Sequence, residues 1–319
     1  MLVVWVCQSK MVDFSLVKEL LTSPTNLAIA FLFLLGSAVL CTTRWLILVR
    51  GQGLHLSFSD LFSLTMIGNF FNTFMPGSVG GDLIKAWYIA GKEPKKRTQA
   101  VFTVVLDRVL GLAIIVFYAA ITLAIFSDWL QDKKELKAIA YSLWLFTVVA
   151  VVSALLFFQS NRFKFAFLND LLGSLKRFKR ISKLIDATTL YRHQSKQIIF
   201  AAFLSALSFL SAIYFHSFQG QLIGASLTWE QYFFVVPVAV TVSAVPLLPG
   251  GIGTGQIAFF TLFKWLGVPN PELGGTLCTI IQFYSILFNC LGYFFYLNFK
   301  RKPASQTSVK SPELNHTLS

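Results

Sequence analysis

Asp82 ends the run Met75-Pro76-Gly77-Ser78-Val79-Gly80-Gly81-Asp82, and Lys85 follows three residues on. Glycines let a backbone turn tightly and leave amide N–H groups free. A nest of such groups at the start of a short helix suits a phosphate or other anionic headgroup. Lys85 falls on the same helical face and adds a positive charge. The competing structural account has the glycines permit tight packing and Asp82 cap the next helix. Asp107-Arg108 lies inside an apolar stretch. In a helix starting near residue 98 it would sit about 14 Å deep. An ionisable pair there marks either a functional site or an internal salt bridge, with Asp82 or Lys85 as its partner. Asn69 and Asn72 precede the Pro-Gly turn and suit satisfaction of freed backbone groups better than direct substrate contact. Gln256 is the main polar side chain after a second cluster, Pro249-Gly250-Gly251-Ile252-Gly253-Thr254-Gly255. Arg44 lies one turn from the inner end of its apolar stretch and is read as snorkelling to the interface. Gln282 and Asn289 are read as interhelical hydrogen-bond formers.

Hydropathy dictates the elements that carry these residues. The chain has 319 residues, 27 Lys+Arg and 14 Asp+Glu, for a net charge of +13. Apolar residues make up 55%, charged residues only 13%, and mean hydropathy is +0.66. Soluble domains carry about 25% charged residues, so a soluble enzyme and a disordered chain are both excluded. Five segments, 27–49, 99–127, 138–158, 198–218 and 275–299, reach the roughly 20 apolar residues that a bilayer core demands. Lipid offers no hydrogen-bond partners, and these runs lack the alternation of barrel strands, so each is expected to be an α-helix.

Two regions break this pattern. The stretch 61–75 stops at its Pro-Gly turn and a short helix, 83–90, follows; 229–248 stops at the second turn and 257–267 follows. The expected form is a re-entrant hairpin in each case, although the first arm of the second region is long enough to span. Pro76-Gly77-Ser78-Val79-Gly80 aligns with Pro249-Gly250-Gly251-Ile252-Gly253. Basic residues fix the orientation. The segment 159–197 carries nine, 91–98 carries Lys92, Lys95, Lys96 and Arg97, and the tail opens Lys300-Arg301-Lys302, whereas 219–228 and 267–275 carry none. The first hairpin then enters from the cytoplasm and the second from outside. The fold expected is an all-α polytopic membrane protein, an inverted repeat with two glycine-tipped re-entrant hairpins. Its single membrane-embedded domain covers 1–299, with halves of about 1–127 and 138–299. The tail 300–319 is expected to be disordered and cytoplasmic. Inverted halves with Gly/Pro-interrupted segments point to a transport site near the midplane.

In 159–197, Leu168, Leu171, Leu172, Leu175, Phe178, Ile181 and Ile185 recur at helical spacing among the basic residues. A basic amphipathic helix on an anionic lipid surface accounts for that pattern better than nucleic-acid binding does. Cys7, Cys41, Cys278 and Cys290 lie in or beside apolar runs without CxxC spacing, and the four His show no metal-ligand spacing. No metal or cofactor is therefore expected. The apolar run Leu2–Cys7 reads as the last turns of a helix that begins upstream or is shortened. No P-loop, HExxH or GxSxG occurs, and no soluble segment is long enough for a catalytic domain, so no enzyme is expected.

Arg44-Trp45 with Leu48, Asn69, Asn72, Pro76-Gly77, Gly80-Gly81-Asp82, Asp107-Arg108 with Gly111, and Pro249-Gly250-Gly251-Ile252-Gly253 together resemble a known family. It is the flippase-like membrane domain of lysylphosphatidylglycerol synthases, which also occurs as stand-alone uncharacterised membrane proteins. The resemblance implies movement of a polar or aminoacylated phospholipid, or of a lipid-linked headgroup, between leaflets of the cell membrane. Contacts to that headgroup would come from Asp82, Lys85, Asp107, Arg108, Asn69, Asn72 and Gln256. The family often has Arg where Lys85 stands and Glu where Gln256 stands. The second difference removes a charge and implies a different headgroup, or movement not coupled to charge. The alternative is a non-transporting partner that presents lipid to a separate synthase or glycosyltransferase. A membrane enzyme acting on lipid phosphate is a third reading, with Asp82 and Asp107 as its acid and base. Association into a homo-oligomer stays open.

Overall fold

The computed structural model describes residues 11–75, 80–125, 194–243 and 253–301, with isolated helical positions between 137 and 149. Among the described residues the regular structure is entirely helical. The helices are α1 (Phe14–Thr22), α2 (Pro24–Gly51), α3 (Phe58–Phe74), α4 (Gly80–Lys92), α5 (Arg97–Ile125), α6 (Ser195–Leu222), α7 (Trp229–Ser243), α8 (Thr254–Trp265) and α9 (Glu272–Arg301), with a 3₁₀ turn, Pro94–Lys96, before α5. Four of them, α2, α5, α6 and α9, are long and apolar enough to cross a membrane. They correspond to four of the five expected spans; the fifth, 138–158, is described only at scattered positions, all helical.

Local sequence explains the boundaries. Ser23 caps α2, and Pro24 occupies its first turn, where a missing N–H costs nothing. Ser57 Oγ accepts from the Asp60 N–H at 3.1 Å and donates to the Asp60 carboxylate at 2.9 Å, which starts α3. Before α7, Thr228 and Gln231 form a reciprocal capping box: the Thr228 N–H donates to Gln231 Oε1 at 2.9 Å, and the Gln231 N–H to Thr228 Oγ1 at 3.4 Å. Helix α1 is an addition to the expected elements. It begins where Asp13 accepts from the Ser15 hydroxyl and backbone N–H and from the Leu16 N–H. Those bonds, the Ser15 hydroxyl foremost, hold the Asp13 carboxyl below its usual range. The expected remnant of a helix at Leu2–Cys7, the amphipathic segment up to residue 193, the tail from 302, and Pro76, Gly77, Pro249, Gly250 and Gly251 lie outside the described residues.

Helices α3 and α4 form an antiparallel hairpin. At its base Lys92 Nζ contacts Asp60 Oδ1 at 2.6 Å. At its tip the Gly81 N–H donates to Asn72 Oδ1 at 2.7 Å. The returning arm starts at Gly80, three residues earlier than expected, so Asp82 lies within its first turn. Helices α7 and α8 form a second hairpin, tipped by Ser243 and Gly255. The two bases lie at opposite ends of the bundle. Lys92 reaches the Phe299 ring near the end of α9, at 4.8 Å, and Lys96 donates to the Gly53 carbonyl just past α2. Helix α8 instead returns to the start of α9, and α7 begins beside the far end of α5, where Thr122 Oγ1 donates to the Phe233 carbonyl at 3.2 Å.

Helix α9 spans both ends and meets both tips. Asn289 donates to Thr73 of the first hairpin at 2.9 Å, and Gln256 of the second donates to Gln282 at 2.7 Å. Seven residues separate these contacts, about 10 Å along the helix. Separate apolar clusters pack each hairpin: Trp45, Leu61, Leu64, Ile67 and Ile89 in the first, and Tyr232, Phe234, Phe259, Phe263 and Leu277 in the second. Large apolar side chains face outward, including Leu32, Trp87, Val109, Ile199, Phe203 and Phe294. A lipid solvent covers such a surface at no cost.

Candidate functional site

The charged residues converge because α2, α4 and α5 enclose a cavity with α3 and α9. Its volume is about 290 Å³. Asn69, Asn72, Asp82, Lys85, Asp107 and Arg108 all line it. Sequence reasoning singled out these six, and the fold brings them together. Gln256 stands elsewhere. Its Oε1 accepts from the Gly253 N–H at 2.6 Å, and its Nε2 donates to Thr279 at 3.2 Å and to Gln282. It caps α8 and ties the second hairpin to α9. Gly253 has φ +90°, a conformation that favours glycine, so that the chain can turn into α8 there.

Arg44 is the principal correction. It does not snorkel; it is buried and forms a two-pronged pair with Asp107, Nε to Oδ1 at 2.6 Å and Nη2 to Oδ2 at 2.9 Å. Its Nη1 donates to Ser205 Oγ on α6 at 3.0 Å. Arg44 lies seven residues from the end of α2, about 10 Å in, and Asp107 ten residues from the start of α5, about 15 Å in. Their heights match, so the guanidinium reaches sideways to the carboxylate instead of along its helix to water. The signal was present: the 27–49 span holds one charge, Arg44, the 99–127 span holds Asp107 beside Arg108, and a charge in an apolar helix must find its opposite.

The second set of charges is looser. Asp82 lies 3.8 Å from Lys85 Nζ and 3.6 Å from Arg108 Nε. Both separations exceed hydrogen-bond length, so the attraction is coulombic. Lys85 is held from behind, with its ammonium 5.5 Å from the centre of the Trp45 ring and its methylenes against Gly68. Trp45 is fixed in turn by its Nε1–H, which donates to Thr103 at 3.1 Å. Gly81 makes this crossing of α3 and α4 feasible, because a Cβ there would strike the Gly68 carbonyl.

Away from the charges the lining turns apolar, through Leu34, Leu112, Ile115 and Phe288. Leu34 lies ten residues from Arg44, and Ile115 seven from Arg108, about 15 and 10 Å along their helices. One end of the cavity suits a polar group and the other a hydrocarbon chain. Ser37, Cys41, Thr65 and Asn289 complete the polar wall, and sequence reasoning did not place them there. No histidine lines the cavity, and no cluster of three potential metal ligands occurs among the described residues.

Fold and site together define a polytopic helical membrane protein with a charged, amphipathic cavity among its spans. The family described as lysylphosphatidylglycerol synthase TM region matches residues 1–292, and this chain belongs to that family. Among its relatives, a UPF0104 membrane protein of Methanocaldococcus jannaschii is 24% identical, across 88% of this chain and 87% of that protein. Another, of Pyrococcus horikoshii, is 26% identical across 75% and 77%. A third, of Methanothermobacter thermautotrophicus, is 23% identical across 77% and 78%. No solved structure matches the chain.

Proposed function

We propose that this protein is a lipid translocase of the cell membrane, not an enzyme, and that it moves a polar or aminoacylated phospholipid, or a lipid-linked headgroup, between leaflets. The observation that carries the reading is the cavity. It offers charged side chains to a headgroup and apolar ones to the chain attached to it. Moving a headgroup through bare hydrocarbon is expensive, and a polar groove lined by charged side chains lowers that barrier. The two hairpins enter as re-entrant elements from opposite faces, with the basic connection 91–97 and the C-terminus in the cytoplasm. Their tips meet α9 near mid-membrane, so a headgroup needs to cross only the short interval between them.

Purified protein reconstituted into vesicles with a fluorescent lipid tests this. Dithionite bleaches the outer leaflet only. With the protein present, bleaching should run past half towards completion, and Asp82→Asn and Asp107→Asn should each return it towards half. Equal bleaching with and without protein would remove the proposal.

The family description supports a second reading, because it names the membrane region of a synthase. This chain would then hold lipid for a separate lipid-modifying enzyme without moving it. Co-purification of such an enzyme, with no flipping by the isolated protein, would favour that outcome.

A further inference from the structure

Helix α7 carries a buried proline, Pro237, in its interior. A proline has no N–H, and its ring crowds the carbonyl four residues earlier. In α7 that carbonyl belongs to Phe233. It is met from α5, where Thr122 Oγ1 lies 3.2 Å away. The same oxygen lies 2.9 Å from the Tyr118 carbonyl of its own helix. A threonine hydroxyl has one proton, so it serves one of these carbonyls at a time. One turn on, Thr241 Oγ1 donates to the Pro237 carbonyl at 2.8 Å, a bond that favours bending. In the first hairpin the residue aligned with Pro237 is Leu64, 173 residues earlier, and α3 has no such break. The outer part of α7 also holds an unsatisfied polar group. The Tyr232 hydroxyl rests against Gly220 of α6, where a Cβ would strike it. Tyr232 and Gln219, the residue before Gly220, are both 0% exposed. Among the described residues neither the hydroxyl nor either end of the Gln219 amide has a hydrogen-bond partner. Unpaired groups are costly in an apolar interior.

We propose that the outer part of α7, residues 229–236, is a hinged element with two positions, turning about Pro237. In the position described here, Thr122 reaches the Phe233 carbonyl while Tyr232 and Gln219 go unpaired. In the other, Thr122 keeps to Tyr118, and the Tyr232 hydroxyl donates to Gln219 Oε1. Gly220 has no side chain to obstruct the ring as it slides between the two. A hydrogen bond lost at Phe233 is exchanged for one gained at Tyr232, so the positions lie close in energy. The tip stays in place, because Gln256 ties α8 to Gln282 of α9. The first hairpin then holds the charged residues, and the base of the second supplies the motion. The inference concerns a helix movement and holds whether or not a lipid is carried.

The test is a distance measurement by double electron–electron resonance on the full-length protein in lipid nanodiscs. With the native cysteines replaced by serine, spin labels go on Ser226→Cys, just before α7, and Asn270→Cys, just before α9; both positions are exposed. Two distances should appear. Thr122→Val removes the bond to Phe233 and should shift their ratio about tenfold away from the position described here. Tyr232→Phe and Gln219→Leu remove the groups that pair in the second position and should each shift it about tenfold the other way. Pro237→Ala restores the missing N–H and should leave a single distance. Tyr232→Phe keeps the buried ring, so the test stays valid if the variants at 122 or 237 fail to fold. A single distance that none of these variants splits or moves would overturn the proposal. So would a shift in the same direction by Thr122→Val and Tyr232→Phe.

Discussion

At the scale of single residues, the Arg44–Asp107 pair has the largest energetic consequence. A buried ion pair adds little net stability, but removing one partner strands the other. Arg44→Ala should therefore lower stability by about 3 kcal/mol, read as a fall in the unfolding midpoint in detergent. Arg44→Met combined with Asp107→Leu should recover most of that loss, because no charge is left unpaired. A double variant as unstable as the single one would mean that the pair serves packing and not charge balance. Gln256 sets a contrast. Its three hydrogen bonds cap α8 and join it to α9. Gln256→Ala should cost about 1–2 kcal/mol of stability. Flipping by the same variant in vesicles should stay within twofold of the parent protein, since Gln256 does not reach the cavity.

Much of the site was legible at this scale. An aspartate after a glycine turn and an Asp-Arg pair inside an apolar span are conspicuous, because hydrocarbon tolerates neither without a reason. The partner of Asp107 was not legible. Arg44 lies near enough to a helix end to reach water, and only the lateral distance between α2 and α5 decides between snorkelling and pairing. Helix periodicity says which face a residue occupies and nothing about the neighbour across the gap. Gln256 failed for the same reason: it follows a glycine cluster as Asp82 does, but its neighbours, Thr279 and Gln282, come from a helix that the sequence could not dock beside it.

At the scale of elements, the first hairpin depends on close backbone approach. A Cβ on Gly81 would meet the Gly68 carbonyl oxygen, which is backbone and cannot move aside without displacing its helix. Gly81→Ala should thus force α3 and α4 apart, break the Asn72 bond and lower the unfolding midpoint strongly. Gly36, within α2, is the matched control. A Cβ there meets nothing within 4 Å, so Gly36→Ala should be neutral or stabilise by up to about 1 kcal/mol. Equal destabilisation by both would show that the hairpin crossing is not the tight point. The spans were legible because their apolar length is dictated by the bilayer. Helix α1 was missed because nine residues fall below the length that hydropathy detects; its place is set by Asp13 and by two distant bonds to α9, at Thr276 and Tyr284.

At the scale of the whole molecule, the proposed translocation route rests on hairpins whose bases lie at opposite ends while their tips share α9. That arrangement puts polar backbone and ionisable side chains inside the bundle, where the neighbouring spans shield them from lipid. It also assigns each base to one face of the membrane, and cysteine accessibility reads those faces directly. With the four native cysteines replaced by serine, Lys95→Cys reports the base of the first hairpin and Asn270→Cys the base of the second. Both positions are exposed. A membrane-impermeant maleimide applied to intact cells should label residue 270 and spare residue 95, and lysis should then open residue 95 to labelling. Labelling of both positions from the same side would contradict the opposed hairpins and the route between them.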